Sequence, residues 1–155
     1  LGAKNDNLQR DRRRGIVITK EELLKMPASD YMNDQQLEFF AHLLKEEKEE
    51  TLEEIDMARA ALTELENNPA DEADAAAAEE QRQLQLRIVS RKTNYFKHIE
   101  RAQARIDDKS YGFCEETDEM IGLQRLMYRP TSTLSVEAQE SKERRKSLHK
   151  DVRDV

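Results

Sequence analysis

The chain has no tryptophan, one cysteine, and only four phenylalanines and four tyrosines among its 155 residues. So few large apolar side chains cannot fill a large globular core, and a single thiol excludes an intrachain disulfide. No stretch approaches the ~18 consecutive apolar residues of a membrane span, and no apolar signal core follows the basic start. No glycine-rich motif that could cradle a phosphate is present. Charge takes up the room instead: Asp, Glu, Lys and Arg make up 38% of the chain, and the net charge is −7. That balance suits long helices that bury one narrow stripe and solvate the rest. It argues against a molecule that coats nucleic acid or an anionic membrane. The length allows one domain with an appended tail. The expected compartment is the cytoplasm, with no membrane partner.

Four segments follow from the pattern. Residues 1–32 are a basic N-terminal arm, with Lys4, Arg10, Arg12, Arg13, Arg14 and Lys20 on a mobile stretch over 1–20. A short helix over 19–26 is predicted, capped by Thr19 with Glu22 three residues on and stopped by Pro27. Residues 33–109 read as a helical hairpin. Its first helix begins at Asn33, which forms a capping-box pattern with Gln36. Leu37, Ala41, Leu44, Lys48, Thr51, Ile55, Ala58, Leu62 and Leu65 then alternate steps of four and three, a heptad seam with two polar interruptions. Glu46-Glu47-Lys48-Glu49-Glu50 reads as a solvated face. Asn67-Asn68-Pro69 breaks the helix and opens a tip at 67–76.

The second helix is predicted from near Asp71 to about Asp108, with Leu84, Ile88, Tyr95, Ile99, Ala102 and Ile106 at helical spacing. The two helices should pack antiparallel over about 50 Å, at 1.5 Å per residue. Residues 110–133 form a compact globular part, and 134–155 a last helix and tail carrying Arg144-Arg145-Lys146. The fold class is therefore all-α: a long antiparallel coiled-coil hairpin, a small degenerate zinc-ribbon-like part and a C-terminal helix.

Cys114 and Thr117 stand three apart, and Ser135 and Ala138 repeat the interval. A four-thiolate zinc site needs a cysteine at each of those places, because paired sulfurs at that spacing reach one tetrahedral ion. One cysteine of four does not supply this, so no zinc or other metal is expected. Packing of Tyr111, Phe113, Met120, Ile121, Leu123, Leu126 and Leu134 on the hairpin base is expected to hold the knuckle instead. Glu115 and Glu116 should raise the thiol pKa of a buried, inert Cys114. His42, His98 and His149 pair with no nucleophile, which speaks against an enzyme. At the tip, Asp71, Glu72 and Asp74 have two readings. They are first-turn carboxylates favoured by the helix dipole, with Asp74 at the third helical position, or they approach a metal or basic group on a partner.

The strings Y-G-F-C-E-E-T at 111–117, I-G-L-Q-R-L at 121–126 and R-P-T-S-T-L-S-V-E-A at 129–138, with Tyr31-Met32-Asn33 before the hairpin, resemble the DksA/TraR family of bacterial transcription factors. The likeness runs from about Met32 to Arg145. The Cys-Thr-Ser-Ala pattern resembles its single-cysteine, zinc-independent alphaproteobacterial members. The resemblance implies a partner, RNA polymerase, entered through its secondary channel by the coiled coil. It implies altered stability of promoter open complexes, ribosomal RNA promoters among them, without direct promoter recognition and by a monomer. It implies that Asp74 and Ala76 act at the tip, and that Arg87, Arg91 and Arg125 contact polymerase. A site for guanosine tetraphosphate, bound together with polymerase, would fall on Tyr95, His98, Arg129 and Gln139. Gln139 is uncharged and His98 is largely neutral at pH 7, so direct nucleotide synergy is not expected. Two other readings stay open: an interaction module whose basic ends touch nucleic acid, and a secondary-channel factor of the transcript-cleavage type.

Overall fold

Thr19 carries the first cap. In the computed structural model, which describes residues 18–151 and the side chains through 148, its hydroxyl accepts from Glu22 N at 3.2 Å while the Glu22 carboxylate accepts from Thr19 N at 2.9 Å. This reciprocal box starts α1 (Lys20–Leu24), which buries Leu23. Pro27 then leads a 3₁₀ turn, Ala28–Asp30. Asn33 caps α2 (Asp34–Asn67): its Oδ1 accepts from Gln36 N at 2.9 Å. The return bond reaches one residue further back than in a standard box, from Met32 N to Gln36 Oε1 at 2.7 Å. Most of the arm expected at 1–20 lies outside the described residues. Ile18 and Thr19, within the stretch expected to be mobile, are buried.

Two compact units divide the chain. One, 44–101, contains residues 44–67 of α2 and 75–101 of α3 (Ala75–Asp107). Lys48 pairs with Glu100 at 3.3 Å, Glu54 pairs with Lys92, and the Tyr95 hydroxyl donates to Glu47. Numbers rise along α2 as they fall along α3, which makes the pair antiparallel. Leu44, Thr51, Ile55, Ala58 and Ile99 are buried along the seam. At the seam position 48 the ammonium lies 5.0 Å from the centre of the Phe96 ring, so the lysine stem covers apolar surface while its head stays paired. The Glu46–Glu50 run is thus not simply solvated: Glu47 and Lys48 are cross-links between the helices.

The tip departs from the sequence expectation. Asp74 N donates to both the Asp71 carbonyl and Asp71 Oδ1, at 3.2 and 3.1 Å. This local side-chain turn competes with helix and delays α3 to Ala75. Asp74 therefore stands just before the helix, its carbonyl taking Ala78 N at 3.0 Å, and not at the third helical position.

The other unit joins residues 18–43 to 102–151. It includes α4 (Leu123–Tyr128), a helix the sequence reading did not anticipate, and α5 (Val136–Asp151). Its core is aromatic. Phe39 meets Phe40 edge to face at 5.4 Å, Phe40 meets Tyr111 at 5.4 Å, and the buried Tyr111 hydroxyl donates to Pro130 O at 2.7 Å. Tyr111, Ile121, Leu126 and Leu134 are buried as expected, whereas Met120 is 55% exposed and contributes little. No helix among the described residues is long and apolar enough to cross a membrane.

Candidate functional site

Three groups of residues carry the sequence expectations. At the tip, Asp74 and Ala76 are exposed, and the Asp74 carboxylate has no hydrogen-bond or ion-pair partner among the described residues. Arg87 and Arg91 are exposed on α3. Tyr95 is tied to Glu47, and His98 is exposed. All six belong to the 44–101 unit. Arg125, Arg129 and Gln139 belong to the other. Arg125 is half-buried and its Nε donates to Leu134 O at 3.1 Å. Gln139 donates to Glu143 at 2.6 Å, and Arg129 is exposed at the C-cap of α4. The four candidate nucleotide residues are therefore split between the two units.

The knuckle is a tight turn. Asp118 N donates to Cys114 O at 2.9 Å, Cys114 N to Glu119 O at 2.8 Å, and Ile121 N to Gly112 O at 2.8 Å, with one antiparallel bridge between Phe113 and Met120. Gly112 has φ 90°, and a Cβ there would lie 2.7–2.9 Å from the Met32 side chain, so glycine is required twice over. Glu115 N donates to Thr133 O at 2.9 Å and joins the turn to the chain before α5.

Cys114 is 1% exposed. Burial pushes its thiol pKa up, but the Thr117 hydroxyl and the backbone N–H groups of Ser135, Glu116 and Thr117 together outweigh burial, and the net is a fall from 9.0 to about 7. The expectation of a raised pKa is corrected: the neighbouring carboxylates do not govern the sulfur, whereas donors aimed at it do. Ser135 caps α5 by accepting from Ala138 N at 3.3 Å, and Ala138 is buried. The four zinc places thus present one sulfur, two hydroxyls and a methyl. Among the described residues no three His, Cys, Asp or Glu side chains are grouped to hold a metal ion. This donor set does not fit a four-thiolate zinc site.

Two residues outside the expected site residues organise this region. Arg105, in the last turn of α3 with only 11% of its side chain exposed, donates from Nη2 to Phe113 O at 2.6 Å and Ser110 O at 3.0 Å. Its Nε reaches Ser110 Oγ at 3.3 Å and its Nη1 stands 3.5 Å from Glu115. Tyr31 is the other. Its hydroxyl donates to Gly112 O at 2.6 Å and accepts from Gly122 N at 3.0 Å, while its ring meets Phe113 edge to face at 5.5 Å. Burial raises the Tyr31 pKa, against the lowering effect of the backbone bonds at Gly122 and Ile121. Arg145, within the basic run of α5, pairs with Glu116 of the turn at 3.2 Å.

Comparison with known proteins follows this geometry. Residues 36–106 match the family model for the N-terminal domain of DnaK suppressor protein DksA, and residues 109–144 match the prokaryotic dksA/traR C4-type zinc finger. The chain is 43% identical over 136 residues to the RNA polymerase-binding transcription factor DksA of Caulobacter vibrioides, across 88% of this chain and 96% of that protein. It is 32% identical over 117 residues to the protein of the same name from Escherichia coli, across 76% of this chain and 78% of that one. Among solved structures, transcription factor DksA2 from Pseudomonas aeruginosa matches with a TM-score of 0.76 at 43% identity, over 83% of this chain and 99% of that one. The zinc-finger match overturns the expectation that zinc has no place in the cofactor set, because 109–144 falls in a zinc-finger family. Family and donor set disagree at three positions, Thr117, Ser135 and Ala138.

Proposed function

This chain belongs to the DksA/TraR family, and from that premise we propose that it is an RNA polymerase-binding transcription factor acting through the polymerase secondary channel. Relatives named for that activity are matched over nearly their whole length, which supports the reading. The observation that carries the mechanism is the tip: an exposed Asp74 carboxylate without a partner among the described residues, followed by the small Ala75 and Ala76. Small side chains permit close approach in a narrow space. A carboxylate brought near the polymerase active site changes the relative stability of promoter complexes, since a ligand shifts an equilibrium only by its difference in affinity for the two states. Arg87 and Arg91 face the channel rim, and Arg125 contacts polymerase from the globular unit. The protein acts in the cytoplasm as a monomer, catalyses nothing itself and does not read promoter DNA.

The transcript-cleavage alternative needs two tip carboxylates free to share a magnesium ion. Asp71 is already engaged with Asp74 N, which weighs against it. The decisive experiment competes the purified chain against a known secondary-channel factor on core polymerase, then assays a ribosomal RNA promoter with and without guanosine tetraphosphate. Competition, no cleavage of backtracked transcripts and an effect indifferent to the nucleotide are expected. Asp74→Asn should bind within about two-fold of wild type yet lose the transcriptional effect, because it changes charge at the tip alone. Full activity of that variant would sink the tip mechanism.

A further inference from the structure

We infer that Tyr31 is a positioning residue for α4, the short helix that carries Arg125 and ends at Arg129. The docking consequence rests on the polymerase reading above; the geometry does not. Gly122 stands at the N-cap of α4 with φ 102° and offers no capping side chain of its own. A helix of six residues cannot hold its own direction, because forming the first turn is unfavourable and few bonds follow it. Something outside must fix its start. The Tyr31 hydroxyl does so from 91 positions away, accepting the Gly122 N–H at 3.0 Å while donating to Gly112 O at 2.6 Å. One oxygen thereby clamps both left-handed glycines of the knuckle.

The hydroxyl is itself held in place. The Tyr31 ring packs edge to face on Phe113 at 5.5 Å, and the adjacent Met32, with φ 54°, lays its side chain over Gly112. Within α4 itself, Arg125 Nε is tied to Leu134 O at 3.1 Å. Losing the Gly122 anchor frees the first turn of α4, which is then held by the buried Leu126 and the Arg125 Nε bond, so the Arg125 guanidinium loses part of its fixed direction. Oriented donors bind in proportion to how little freedom remains to be lost, and the consequence is weaker docking without any contact between Tyr31 and the partner.

Tyr31→Phe removes the oxygen and keeps the ring, so the chain should fold with unchanged helix content. In the full-length protein the Gly122 amide should exchange about 10-fold faster, the scale of one lost hydrogen bond. The concentration needed for half-competition on core polymerase should rise about five-fold, while the transcriptional effect at saturation stays at the wild-type level. In an Arg125→Ala background the same change should add less than about two-fold, since a residue acting through Arg125 has nothing left to position. Unchanged Gly122 exchange, or unchanged competition despite faster exchange, overturns the inference. So does a full additive loss in the Arg125→Ala background. Should the wild-type chain itself fail to compete, the polymerase reading and the docking consequence fall together, and Gly122 exchange alone decides whether Tyr31 fixes α4.

Discussion

Arg105, with little of its side chain meeting water, uses its forked guanidinium to collect two backbone carbonyls, a hydroxyl and a carboxylate. Lysine cannot span that set, because its ammonium is a single point and not a planar fork. Arg105→Gln leaves the Phe113 and Ser110 carbonyls short of donors, and should destabilise the protein by about 2–3 kcal/mol in chemical denaturation, with Arg105→Lys recovering less than half of that. Nothing in the sequence marked this residue: one arginine among many on a charged helix has no signature, and its partners follow it around a turn. Asp74 was the opposite case. Its candidacy came from a short motif, yet its place ahead of the helix, and not at the third helical position, depended on the Asp71 side chain taking its N–H.

At the level of the element, periodicity was the reliable signal and charge the unreliable one. The four-three spacing along α2 identified Leu44, Ile55 and Ala58, all buried. The charge run at 46–50 pointed to a solvated face although the spacing put Lys48 on the seam, because a run of charge does not say which of its members will meet a partner helix. Near the start of α3, Glu79 holds Arg82 through two bonds of 2.8 Å and accepts from Gln83 at 2.8 Å. The Arg82 hydrogen bond, then that of Gln83, lowers the Glu79 pKa from 4.5 to about 2. A lowered carboxylate pKa favours the ionised, folded form. The contribution is therefore present above pH 4.5 and disappears as pH falls from there through about 2. Circular dichroism between pH 5 and 2 should show the wild type losing helix over that window, and Glu79→Gln should flatten the change. Identical acid profiles would mean the cluster contributes nothing to the helix.

Across the whole molecule, burial is uneven. No residue from 59 to 98 is buried, whereas Leu44, Thr51, Ile55, Ala58 and Ile99 are. Local opening is governed by how much apolar packing must be undone, so amides in 59–98 should exchange at least about 10-fold faster than those in 44–58, read by hydrogen-exchange mass spectrometry. Uniform protection along both helices would contradict this. Charge works at the same scale. With a net charge of −7, any contact to an anion must come from local basic groups such as Arg87, Arg91, Arg125 and Arg129.

From its order of residues alone the chain was committed to all-α architecture, because heptad spacing, alanine-rich helix starts and the Asn-Asn-Pro break are local properties that hold wherever the helices go. The same order of residues displayed Thr117, Ser135 and Ala138 where a four-thiolate site has cysteines. Only folding decided how those places are used: Ser135 as a helix cap, Ala138 as core, and Cys114 as an acceptor for backbone N–H groups from both sides of the turn. Folding also decided that Tyr31 meets Gly122, and Arg105 the turn at 110–115. Such bonds join residues brought together by a closed chain, and their energy depends on distances of a few tenths of an ångström that no spacing rule contains.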